Sequence, residues 1–191
     1  MRSAVVIPIK SFTVAKGRLA DTLTPAQRAE LAQQCAATVV QAAQELPVYV
    51  VCADTQVAQW ARERGAHVVD CQTPGLDVAV NAGREAAETD GATHIIVAHA
   101  DLPLATSLSH VVREGCVSMV PDRHNDGTNV LSFPAGVNFT TAYGPGSFDN
   151  HIRIAESLGL AVEIINDESL ALDLDTADDL GELARRQKGA S

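Results

Sequence analysis

His94-Ile95-Ile96-Val97-Ala98-His99-Ala100-Asp101-Leu102-Pro103 sets an aliphatic run directly before a carboxylate and a proline. A near-continuous Val/Ile run, with no alternation of polar residues, is the pattern of a strand covered on both faces. The proline stops such a strand, so Asp101 is left at its carboxyl end. Comparable runs occur at residues 4–9, 48–52, 67–69, 118–121, 129–133 and 161–165. Between them lie stretches with helical periodicity at 25–46, 56–64, 76–89, 105–114, 148–158 and 177–187, the last running into a tail expected to fray over 185–191. Thr24 before Pro25 forms an N-cap with proline at the first helical position. Asp54 or Thr55 caps the next helix, and Gly65 and Gly159 close two of the helices in the left-handed conformation. Strand and helix alternate, which implies right-handed crossovers. The expected fold is a single-domain α/β chain spanning 1–191, a three-layer α/β/α arrangement around a mostly parallel sheet.

Composition narrows the class. Apolar residues make up 46% of the 191 residues and charged residues 20%, enough for a buried core. The formal net charge of −10 lacks the basic footprint that nucleic acid or an anionic membrane requires. Cys35, Cys52, Cys71 and Cys116 are widely spaced, without a C-x-x-C pair, and read as small buried hydrophobes. No apolar run approaches the roughly 20 residues of a membrane helix, and the short apolar start does not suit a signal peptide. A cytoplasmic protein is expected. An apolar helix face would allow a homodimer.

In an open parallel sheet, ligands gather outside the carboxyl ends of the strands. After the first strand, Lys10, Lys16 and Arg18 fall within nine positions and flank Gly17, a loop suited to triphosphate oxygens or simply a solvated basic loop. It is not a Walker pattern. After the last strand, Asp173 and Asp175 are two apart and project to one side, with leucines between them facing the other way. Two carboxylates about 4 Å apart repel by on the order of 4 kcal/mol at an effective dielectric near 20. A magnesium pair bridging Asp101, Asp173 and Asp175 would relieve that repulsion; the bland reading has Asp101 and Asp175 capping helices. Thr128 after Gly127, and Gly146-Ser147 leading into a helix that carries His151 and Arg153, suit an anion, or a hairpin turn and a capped loop. His67, His94 and His99 lie in or beside apolar strands and read as satisfied core residues.

Taken together, Pro8-Ile9-Lys10, Ala15-Lys16-Gly17-Arg18-Leu19, Ala100-Asp101-Leu102-Pro103, Asp126-Gly127-Thr128-Asn129, Gly144-x-Gly146-Ser147-Phe148 and Asp173-Leu174-Asp175-Thr176 resemble the CofC-type phospholactate/phosphoenolpyruvate guanylyltransferases of deazaflavin coenzyme biosynthesis. The resemblance runs over about residues 4–182. It implies a nucleotidyltransferase fold like those of molybdopterin guanylyltransferase and GT-A sugar transferases. It further implies GTP as substrate, two magnesium ions on the catalytic Asp101, Asp173 and Asp175, and GTP phosphates on Lys10, Lys16 and Arg18. The phosphate of a small three-carbon acid would then sit on Thr128, Gly146 and Ser147. Where family members carry Gly-Leu-Asn this chain has Gly75-Leu76-Asp77, so Asp77 either accepts from guanine N1–H and N2–H or caps a helix. The acceptor is expected to be phosphoenolpyruvate, with 2-phospho-L-lactate and 3-phospho-D-glycerate as alternatives. Competing readings are a sugar-phosphate or molybdopterin-type nucleotidyltransferase, or a nucleotide-binding regulatory module without turnover.

Overall fold

The structure is a computed structural model that describes residues 1–189. Seven strands form one sheet: β1 (Ser3–Pro8), β2 (Val48–Cys52), β3 (His67–Asp70), β4 (His94–Ala98), β5 (Cys116–Pro121), β6 (Thr128–Pro134) and β7 (Ala161–Ile164). Their spatial order is β3-β2-β1-β4-β6-β5-β7. Strands β1–β4 pair parallel, as does β5 with β7, and β6 runs antiparallel between β4 and β5. Among the described residues the α-helices are α1 (Pro25–Ala42), α2 (Thr55–Arg62), α3 (Leu76–Thr89), α4 (Ser147–Ser157), α5 (Glu168–Ala171) and α6 (Ala177–Gly189). Of the tail expected to fray, residues 185–189 continue α6, and positions 190 and 191 lie outside the described residues.

Alternate residues of β1 build two cores. Val5 and Ile7 belong to one core with Ala36, Val39, Val57 and Trp60 of α1 and α2. Ala4 and Val6 belong to a second core with Val80 and Ala87 of α3 and Ala155 of α4. The sheet is therefore covered on both sides, as the aliphatic runs require. The α3 layer comes very close. A Cβ on Gly83 would stand 2.7 Å from Val51 Cγ2 and closer still to Val6 Cγ1.

Local signals place the helix starts. Thr24 Oγ1 accepts from Gln27 N while Gln27 Oε1 accepts from Thr24 N, and Pro25 follows. Asp54, rather than Thr55, caps α2 through the amides of Gln56 and Val57.

One expected helix does not form. Over 105–114 only Ser109–Val111 makes a 3-10 turn. Leu102, Ala105, Leu108 and Val111 are all buried, a spacing of three that imitates a helical face. The segment instead closes single turns through Leu102 O to Ala105 N and Leu108 O to Val111 N. Ser107 and Ser109 join their hydroxyls to each other at 3.2 Å within this segment. The short α5 was not expected; Asp167 caps it at Ser169 N and Leu170 N.

Two histidines behave differently from one another. His94 is buried against Ser132 Oγ at 2.8 Å, and burial pushes its pKa down to about 4. His67 is not a core residue: it is exposed and stacks on Tyr49 with ring centroids 4.9 Å apart. Among the described residues the four cysteines are free, and no helix is long and apolar enough to cross a membrane.

Candidate active site

A cavity of about 820 Å³ opens where β1, β2, β3 and β4 end. Its walls are the segments that follow those strands: 9–12, 52–53, 71–76 and 99–101, with Asp175 at one side. This is the edge at which an open parallel sheet presents ligands.

Two ion pairs stand at it, one within its wall and one at its rim, where Asp175 lines the cavity and Arg18 does not. Lys16 Nζ lies 2.9 Å from Asp101 Oδ2, with the Lys16 side chain only 5% exposed. Arg18 Nη1 lies 2.8 Å from Asp175 Oδ2 on a more open flank. Lys16 adopts the left-handed conformation, φ 58° and ψ 39°, which costs an L-residue roughly 1–2 kcal/mol. The adjoining turn is pinned by buried Leu19. Lys10 also lines the cavity and is exposed.

The acidic residues converge. Leu174 N donates to Asp101 O, which sets the strand-like segment 172–175 against the end of β4. Leu172 and Leu174 are fully buried, so Asp173 and Asp175 face the other way, as their spacing of two demands. Burial, and then the charge of Asp101, raise the pKa of Asp173. Asp101 Oδ1 is buried and has no hydrogen-bond partner. An orphaned carboxylate oxygen among further carboxylates is a donor set that fits a hard divalent cation. Among the described residues no three His, Cys, Asp or Glu side chains already stand as a metal-holding group. Basic side chains hold Asp101 and Asp175 instead.

Asp179 fixes the geometry of this acidic segment, a role the sequence reading missed. Its Oδ2 accepts from Asp175 N at 3.1 Å, Thr176 N at 2.7 Å and Thr176 Oγ1 at 2.7 Å. Arg123, in the β5–β6 loop, grips its other oxygen through Nε at 3.0 Å and Nη2 at 2.8 Å. Burial opposes ionisation of Asp179, but the bonds from Thr176 and Arg123 prevail and hold its pKa below the usual carboxylate range. A Thr-x-x-Asp spacing at a helix start was the available signal.

The expected anion residues also meet. Thr128 N donates to Ser147 Oγ at 3.2 Å across 19 positions of chain. Gly146, left-handed at φ 69°, starts α4, and its amide donates to Asp126 Oδ1. Thr128 and Ser147 do not line the cavity. They are buried beside it, joined to its wall where His99 N donates to Asn129 O and where His99 packs on Tyr143.

Asp77 makes a contact within the protein that was not expected of it. It is absent from the cavity wall formed by its neighbours Gly75 and Leu76, and its Oδ1 accepts from Tyr143 N at 3.0 Å. It ties the glycine-rich 143–146 loop to the first turn of α3. Gly75 itself, at φ 128°, occupies the N-cap position, so Asp77 caps no helix.

Residues 3–190 match the family described as "Guanylyl transferase CofC like". A protein of Sphaerobacter thermophilus named phosphoenolpyruvate guanylyltransferase is 33% identical over 193 residues, covering 96% of this chain and 93% of that one. A protein of the same name from Rubrobacter xylanophilus is 34% identical, covering 93% and 91%. Among solved structures, a nucleotidyl transferase from Methanothermobacter thermautotroptrophicus superposes with a TM-score of 0.67 at 14% identity, covering 100% of this chain and 99% of that one. A 4-diphosphocytidyl-2C-methyl-D-erythritol synthase from Anaerococcus prevotii gives 0.63 at 8% identity, with 98% of both chains covered. At such identities these two structures speak for the fold alone.

Proposed function

Since this chain belongs to the CofC-like guanylyl transferase family, we propose that it moves GMP from GTP onto the phosphate of a three-carbon phospho-acid. Phosphoenolpyruvate is the leading acceptor, ahead of 2-phospho-L-lactate and 3-phospho-D-glycerate. The whole chain acts as one nucleotidyltransferase domain, and its product feeds deazaflavin coenzyme (factor 420) assembly. The relatives named phosphoenolpyruvate guanylyltransferase support this choice of acceptor. The observation that carries the reading is the pairing of Lys16 with Asp101 and Arg18 with Asp175 at one cavity, across 85 and 157 positions of chain.

The acceptor phosphate is largely dianionic at neutral pH, its second pKa being about 6. It attacks the α-phosphorus of GTP in line and displaces pyrophosphate without a general base, so the chain need supply no catalytic histidine. The barrier is electrostatic, because two polyanions must meet. Asp101, Asp173 and Asp175 would hold magnesium, which when bound neutralises the triphosphate and the departing pyrophosphate. Lys10, Lys16 and Arg18 take the phosphates, the last two exchanging a carboxylate for a phosphoryl oxygen. Guanine lies along the backbone of residues 71–75, with Asp77 behind that wall rather than in it. Thr128, Gly146 and Ser147 hold the acceptor phosphate.

The test is incubation of the purified chain with GTP, Mg²⁺ and each of the three acids, followed by pyrophosphate release and mass spectrometry of the product. A guanylylated phosphoenolpyruvate is expected. Absence of pyrophosphate with all three acids would sink the reading.

A further inference from the structure

We propose that His151 is a positioning residue whose ring fixes the Thr128 hydroxyl as a hydrogen-bond donor toward the acceptor phosphate. The inference rests on the reading that Thr128 and Ser147 hold that phosphate. It is carried by the direction of four groups.

Ala142 N lies 3.0 Å from His151 Nε2. A backbone N–H only donates, so Nε2 must present its lone pair, and a proton there would meet another proton. The ring proton therefore sits on Nδ1, which is 3.0 Å from Thr128 Oγ1. That contact runs from Nδ1–H to the hydroxyl oxygen, and Thr128 keeps its own proton to give away. The adjacent hydroxyl is set the same way: Ser147 Oγ accepts from Thr128 N. Among the described residues neither hydroxyl proton has a protein acceptor, although Thr128 is 0% and Ser147 2% exposed. A buried O–H with no acceptor is costly, and a pair side by side calls for an anion. Tyr143, edge-on to His151 at 4.9 Å, contributes a third buried hydroxyl without a partner.

The surroundings keep the ring neutral. His151 is fully buried, and desolvation outweighs the opposing charge of Asp77, holding its pKa down to about 4. An imidazolium would also point N–H at N–H at Ala142. With the opposite tautomer Thr128 would donate to Nδ1, and the acceptor would meet a lone pair instead of a proton.

Two measurements test this. In the full-length protein with ¹⁵N-labelled histidine, assigned by comparison with His151→Asn, His151 should show a protonated Nδ1 and a bare Nε2 across neutral pH. A protonated Nε2, or an imidazolium at neutral pH, overturns the inference, and this readout stands even if the variant folds poorly. In steady-state kinetics Thr128→Val should raise KM for phosphoenolpyruvate about tenfold or more while KM for GTP stays within about twofold. His151→Asn should do the same, and the double variant should be no worse than Thr128→Val alone, because the histidine acts through the hydroxyl. Additive losses, or equal losses in both KM values, mark a merely structural role and overturn the proposal. An unchanged acceptor KM in Thr128→Val, with the tautomer as drawn, brings down the acceptor-site reading itself and the inference with it.

Discussion

Asp101 carries opposite demands on its two oxygens. Oδ2 is satisfied by Lys16 and Oδ1 is buried without a partner. Asp101→Asn keeps the shape and removes the charge, so turnover should fall by about 10³-fold or more while the far-UV circular dichroism is unchanged. Activity within tenfold of the parent would remove Asp101 from the chemistry. Asp179 makes a separate prediction. Arg123→Ala leaves a buried carboxylate with one fewer counter-charge, a loss of roughly 3 kcal/mol in denaturant unfolding at pH 7. The sign follows from the lowered pKa of Asp179: its stabilising contribution is present above the usual aspartate range and disappears as pH falls through the lower folded value. The gap between variant and parent should therefore narrow in acid; a constant gap would argue against the pair. The carboxylates and cations were legible because their chemistry is written in residue type and in spacing. Asp77 and His151 were not, since their tasks depend on Tyr143 N and Ala142 N, 66 and 9 positions away, and a backbone amide leaves no trace in sequence.

Elements were legible where burial on two faces or a cap left a local mark. The runs behind β1, β2 and β4 and the Thr24–Pro25 start of α1 are of this kind. The segment 105–114 was misread because a three-residue repeat of buried positions serves a chain of turns as well as a helix. Gly83 carries the prediction at this scale. In an exposed helix, alanine gains about 1 kcal/mol over glycine. Here the added methyl meets Val6 and Val51, β-branched residues buried in the sheet, and overpacking costs about 1–3 kcal/mol. The contacts are closer than side chains tolerate, so the cost should win. Gly83→Ala should lower stability by about 1–2 kcal/mol in urea unfolding, and a more stable variant would show that α3 does not press on the sheet in this way.

Across the whole molecule, the basic turn near residue 17 and the acidic segment near residue 174 close one cavity from opposite ends of the sequence. Two of the three carboxylates that suit a divalent cation, Asp101 and Asp175, are already paired with Lys16 and Arg18. A cation approaching Asp101 therefore meets the Lys16 ammonium, and a divalent charge about 4 Å from it is repelled by on the order of several kcal/mol at an effective dielectric near 20. A triphosphate removes that obstacle by drawing Lys16 and Arg18 onto itself, so nucleotide and metal should each tighten the other's binding. Lys16→Met separates the two halves of this linkage. Without nucleotide, the variant should bind Mn²⁺ at least about tenfold more tightly than the parent, because the competing cation is gone. With Mn²⁺ present, it should bind GTP about tenfold more weakly, because a phosphate contact is gone. Titration calorimetry reads both constants directly. Weaker or equal Mn²⁺ binding by Lys16→Met would mean that Lys16 does not stand in the cation's place, and the carboxylates would then have to be assigned another partner.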